Sequence, residues 1–111
     1  MRYSIVYALT RPDAEEKVSV GILYIDGEKP EFVLSKEKLA VGNSLLSEKE
    51  GIYLSRILTS LQRKSAEAKS PDEMAALISY LSRYSNNLIG FSPVLQDIVS
   101  TREELFKRYI R

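Results

Sequence analysis

The side chains able to do chemistry in this chain are carboxylates, tyrosines and cations, and they fall into a few short stretches. Asp13, Glu15 and Glu16 crowd one stretch, and Asp26, Glu28 and Glu31 another. Closely spaced carboxylates are the raw material of an oxygen-ligand site for a divalent ion. Neither stretch has the regular ligand spacing and turn glycine of a calcium loop, so both read as solvated loops, and no metal or other cofactor is expected. Histidine and cysteine are both absent. Their absence removes the usual general base near neutral pH, nitrogen and sulfur metal ligands, thiolate nucleophiles and disulfides, and with them Ser-His and Cys-His catalysis. The five glycines are isolated and form no phosphate-cradling loop. The chemistry favours binding over catalysis, and no catalytic residue is assigned.

The cations that suggest binding are Arg56, Arg63 and Lys64 in the middle of the chain and Lys107, Arg108 and Arg111 near its end. They are the candidate partner-binding residues, through phosphates or an acidic protein. The wet faces of amphipathic helices account for the same residues. The formal net charge is only +1, which weighs against a dedicated nucleic-acid binder. Seven tyrosines raise a related question, since a tyrosine face beside arginines is a surface on which bases stack. Tyr3, Tyr7 and Tyr24 are expected to share one sheet face. The chain has no glycine-and-aromatic signature of an RNA-reading strand, so a helix-covered core is the favoured reading of that face.

The elements that must position these residues follow from periodicity. Arg2–Leu9 alternates Tyr3, Ile5, Tyr7 and Leu9 with Ser4, Val6 and Ala8, which predicts a first strand. Thr10–Glu16, with Pro12 and three carboxylates, predicts an exposed loop. Lys17–Ile25 is apolar on both faces and predicts the central strand, with Val18, Val20, Ile22 and Tyr24 on one side and Ser19, Gly21, Leu23 and Ile25 on the other. Gly21 is assigned a structural role, where the strand bends or a helix packs down. Gly27 is likewise structural, as the turn residue of an Asp26-Gly27 hairpin leading to a short edge strand, Glu31–Leu34.

Helices take over from there. Ser35 caps a short helix through Val41 that Gly42-Asn43 stops, and Ser47 with Glu50 makes a capping box for a helix to about Ala68. Ser70-Pro71-Asp72-Glu73 opens a third helix whose apolar face is Met74, Leu77, Ile78, Leu81 and Tyr84, ended by Asn86-Asn87. Leu88–Phe91 is a candidate fourth strand, and Val94–Val99 is ambiguous. Thr101 with Glu104 opens a last helix that turns Leu105, Phe106, Tyr109 and Ile110 inward and continues to Arg111. Strands before helices in one chain of 111 residues predict a single α+β domain, a three-stranded antiparallel meander covered by three to four helices. No run of about 18 apolar residues or signal-peptide core is present, so a cytoplasmic protein is expected.

The opening residues also carry a family resemblance. Tyr3-Ser4-Ile5-Val6, then Arg11-Pro12-Asp13, then Glu16-Lys17-Val18-Ser19-Val20-Gly21-Ile22-Leu23 resembles a bacterial family of small proteins of unknown function. Its members open with a strand, a proline-aspartate loop and a Glu-x-Val-x-Val-Gly strand. Some members are encoded beside a kinase resembling the Hip-type toxins. The resemblance implies a non-catalytic accessory or regulatory protein that binds another protein, such as a Hip-type kinase-like partner. A nucleic-acid-associated module using tyrosines and arginines is the alternative. Homodimerisation through an exposed sheet edge or the last helix is compatible with both.

Overall fold

The alternation of Tyr3, Ile5 and Tyr7 with Ser4, Val6 and Ala8 builds strand β1, Arg2–Arg11, and puts Tyr3, Ile5 and Tyr7 in one core and Val6 and Ala8 in another. The structure, a computed structural model, describes residues 1–25, 31–84 and 87–110, and the side chains of these except Pro12, Pro71 and Tyr84. After β1 come β2 (Glu16–Tyr24), β3 (Glu31–Leu34), α1 (Lys36–Ser44), α2 (Glu48–Glu67), α3 (Pro71–Tyr84), β4 (Ile89–Phe91), β5 (Leu95–Gln96) and α4 (Arg102–Tyr109). The fold class is α+β. The strands pair antiparallel in the order β3-β2-β1-β4, and β5 pairs with the start of β1.

Two features of the sheet differ from the sequence expectation. β4 pairs along the free side of β1, so β1 as well as β2 lies inside the sheet. β1 also runs two residues further than its apolar alternation, because Arg11 pairs with Glu16 and the Thr10 hydroxyl donates to the Glu16 carboxylate at 2.7 Å. The expected long loop shrinks to a 3-10 turn over Pro12–Ala14, followed by Glu15 at a φ of 56°.

The expected two-residue alternation of β2 also breaks, at a bulge. Val6 pairs with Gly21 but Tyr7 with Ser19, so Val20 is the extra residue. Val20 and Leu23 therefore share one core, while Ile22 and Tyr24 belong to the other. Val18 and Val20 do not share a face with Ile22 and Tyr24. Gly21 marks this bend. A Cβ there would collide with the Val33 carbonyl oxygen and come within 2.7 Å of the Phe32 ring, so the neighbouring strand, not a helix, uses the missing side chain. The Asp26-Gly27 turn, Gly27 included, lies outside the described residues.

The helices divide between the sheet's faces. One face packs against Leu54, Ile57, Leu58 and Leu61 of α2, Met74 and Leu81 of α3 and Leu39 of α1. These α2 residues recur at helical spacing, and burying each is worth about 1.5–3 kcal/mol relative to exposure. On the opposite face α4 places Leu105, Phe106 and Tyr109, with Ile110 just beyond its end, over Tyr3, Ile5, Ile22 and Tyr24. The tyrosine face is therefore a covered core.

The predicted caps form at Ser35, Ser47 and Thr101, the last two with reciprocal capping boxes. Ser70 caps α3 by accepting from the Glu73 N–H, while Glu73 reaches back to the Lys69 N–H. Gly42 and Asn43 do not stop α1; both lie inside it, and the helix ends at Leu45. Gly42 is buried, and a Cβ there would stand 3.3 Å from the Ala8 Cβ, so this glycine sets how closely α1 approaches the sheet. α3 ends at Tyr84, and Asn87 beyond it has a φ of 59°. Asn86 and Arg111 lie outside the described residues.

Candidate functional site

A helix that buries one stripe leaves the opposite stripe bare, and in α2 that outer stripe carries two of the predicted cations. Arg56 and Arg63 are seven residues apart, two turns or about 10.5 Å of helix rise, and both are exposed. They line one groove of about 660 Å³ together with Ile52, Ser55, Thr59 and Ser60, with Asn43 of α1 as its rim. No acidic residue occurs between Gly51 and Ala66. Neither arginine forms an ion pair or hydrogen bond with a described residue.

The groove has an apolar end. Ile52 is 51% exposed and Tyr53 38% exposed, and with Leu88 and Arg56 they line an adjoining hollow of about 790 Å³. Glu48 and Glu50 stand at this end, and Glu50 is engaged in the capping box with Ser47. Lys49 lines the same end, so from the start of α2 towards its end the bare face reads mixed charge, apolar, then hydroxyls and arginines. The Asn43 amide sits beside Gly51, and its Oδ1 is buried without a hydrogen-bond partner among the described residues.

The remaining predicted cations are elsewhere. Lys64 turns to the α3 side, with its ammonium 5.6 Å from the centre of the Tyr80 ring. Lys107 lines a shallow hollow with Glu31, Val33 and Phe106 beside the sheet edge. Arg108 sits 3.6 Å from the Asp97 carboxylate and donates to the Ser100 hydroxyl at 3.2 Å. Since α4 and α2 cover opposite faces of the sheet, the six cations do not form one patch; Arg111 lies outside the described residues.

Arg108 helps hold a loop that the sequence left without a role. Asp97 Oδ1 accepts from the backbone N–H groups of Ser100 at 2.6 Å and Val99 at 2.8 Å. Those two N–H groups, Ser100 first, hold the Asp97 carboxyl down at about 2. The turn presents Ile98 and Val99, which are 84% and 88% exposed.

On the covered face, the Tyr3 hydroxyl donates to the Tyr109 hydroxyl at 3.1 Å, and the Tyr24 hydroxyl to the Arg102 carbonyl at 2.8 Å. Burial first, then the Tyr109 contact, pushes the Tyr3 hydroxyl up to about 12; burial likewise raises Tyr24. The Ser19 hydroxyl donates to the Tyr109 carbonyl at 3.0 Å, and the Lys17 ammonium lies 4.3 Å over the Tyr7 ring. These tyrosines are occupied in holding α4, so Tyr3 and Tyr24 offer no stacking platform. Among the described residues, no three acidic side chains gather as a metal site would require. No described helix is long and apolar enough to cross a membrane.

No family model, curated protein or solved structure matches the chain. The reading of the site therefore rests on its own geometry. Sequence reasoning found Arg56 and Arg63 but passed over Ile52, Tyr53, Thr59 and Asn43. The available signal was the Arg-x-x-Thr-Ser-x-x-Arg spacing of residues 56–63, four donors at helical spacing on the side away from Leu54, Leu58 and Leu61.

Proposed function

We propose that the protein is a non-catalytic accessory or regulatory protein that binds another protein through the bare outer face of α2. The observation that carries this reading is one continuous surface combining exposed Ile52 and Tyr53 with Arg56 and Arg63, two arginines without an ion-pair partner among the described residues. Aromatic, aliphatic and arginine side chains in one place are the composition of interface hot spots. The resemblance of residues 3–25 to the bacterial family, some of whose members are encoded beside a Hip-type kinase-like protein, makes such a kinase in the bacterial cytoplasm the first partner to test.

The test is a tagged pull-down with and without nuclease, using the wild-type chain and an Arg56→Glu/Arg63→Glu variant. One protein retained in near-equal amount after nuclease, and reduced at least tenfold by the double reversal, supports the reading. Both substitutions are on the exposed face, so the melting temperature is expected to stay within a few degrees. Capture that vanishes with nuclease would move the nucleic-acid alternative ahead.

A further inference from the structure

The order of side chains along this face says what kind of surface it accepts. The start of α2 offers Glu48, Lys49 and Glu50, of mixed sign, whereas acids placed over Arg56 and Arg63 meet only opposite charge. Ile52 and the ring of Tyr53, between these ends, offer apolar area to a partner's side chain. The floor between the arginines is Ser55, Thr59 and Ser60, short side chains that let a second backbone approach closely.

We infer that the face receives an amphipathic, acidic α-helix of the partner. The inference rests on the protein-binding reading above and names the chemistry of that partner. The bound helix lies along α2, with an apolar side chain seated on Ile52 and Tyr53 and two carboxylates over the arginines. Helices pack with axes about 8–10 Å apart, within reach of guanidinium groups flanking the contact. A helix running alongside α2 repeats the same rise, so carboxylates seven residues apart match the roughly 10.5 Å between Arg56 and Arg63.

A nucleic-acid strand fits less well. It would carry phosphates past Glu48 and the apolar patch, and it would find two arginines where such interfaces are far more strongly basic. An acidic helix uses both the apolar and the cationic halves.

The experiment places a photo-crosslinking amino acid at Ser60 in one preparation and at Ile52 in another, in the full chain, and irradiates each in native lysate. Crosslinked segments are identified by mass spectrometry. The expected result is one partner segment in both, with the Ser60 crosslink beside Asp or Glu residues spaced seven apart and the Ile52 crosslink beside an apolar residue on the same helical face. Capture is expected to fall about tenfold between low and high salt and to fall again in Arg63→Glu. Crosslinks to RNA or DNA, to a segment with no acidic residues, or to a strand of a sheet would overturn the inference while leaving binding itself in place. A partner captured by the pull-down with no crosslink at either position would overturn it as well. Failure to capture any protein is the separate result that sinks the proposed function.

Discussion

The two faces of the sheet are packed by different chemistry. Against α1, α2 and α3 the contacts are mostly aliphatic, with Phe32 among them, and Val20, Leu23, Leu54, Leu58, Leu61 and Met74 expose nothing. Against α4 the core is smaller, and hydrogen bonds from Tyr3, Ser19 and Tyr24 tie strand side chains to Tyr109 and Arg102. The first face is held by shape and volume, which make no demand on direction. The second holds one short helix at defined donor and acceptor positions, and its stability depends on proton occupancy. The α2 helix contributes its inner stripe to the first core and leaves its outer stripe, with Arg56 and Arg63, exposed.

The largest expected effect tests the aliphatic face. Leu58→Ala removes a fully buried side chain and is expected to cost about 3 kcal/mol, read as a lower urea midpoint with unfolding still cooperative. A loss below about 1 kcal/mol would mean that this core can collapse around the gap, and the contrast between the faces would weaken. Tyr24→Phe is the counterpart on the α4 face. It leaves the ring in place but the Arg102 carbonyl without its donor, at a cost of about 1 kcal/mol. Amide exchange is expected to rise in α4 and to stay unchanged in α2; equal acceleration in both would show that the two faces do not open separately.

Titration sharpens the same comparison. The Tyr3 hydroxyl sits at about 12 in the fold, against an ordinary value of 10.0, so its neutral form is the one the fold favours. That contribution is complete below about pH 10 and is lost as pH rises from 10 towards 12. The wild-type protein is expected to lose stability across that window, and Tyr3→Phe to lose less of it; identical alkaline profiles would remove Tyr3 from the account. Asp97 shifts the other way, from 3.8 to about 2. Its contribution is present above about pH 4 and is lost as pH falls towards 2. Because Asp97 lies near the surface, this is the smallest of the four effects. Acid titration of Asp97→Asn, followed through the amides of Val99 and Ser100, is expected to be flatter than that of the wild-type chain.

Much of the fold was legible in the residues because its signals are local. A serine or threonine with a glutamate three positions on caps a helix wherever it falls, and Ser47 and Thr101 did so. Alternation separated Tyr3, Ile5 and Tyr7 from Val6 and Ala8 on β1, as the two cores show. Arg56 and Arg63 were legible as candidates by charge, but not as neighbours in a groove with Asn43, which requires α1 to lie beside α2.

The sequence by itself determined the class, the main strands and helices and the helix N-caps, because periodicity and capping act within a few residues of each other. Tertiary structure alone decided the rest. The bulge at Val20 depends on how β2 meets β1, and the cover over Tyr3 and Tyr24 on where α4 returns from the far end of the chain. The separation of Arg108 from Arg56 and Arg63 follows because a sheet lies between their helices. Each of these pairs residues far apart in sequence, where no local preference specifies the outcome and only the packing of complete elements does.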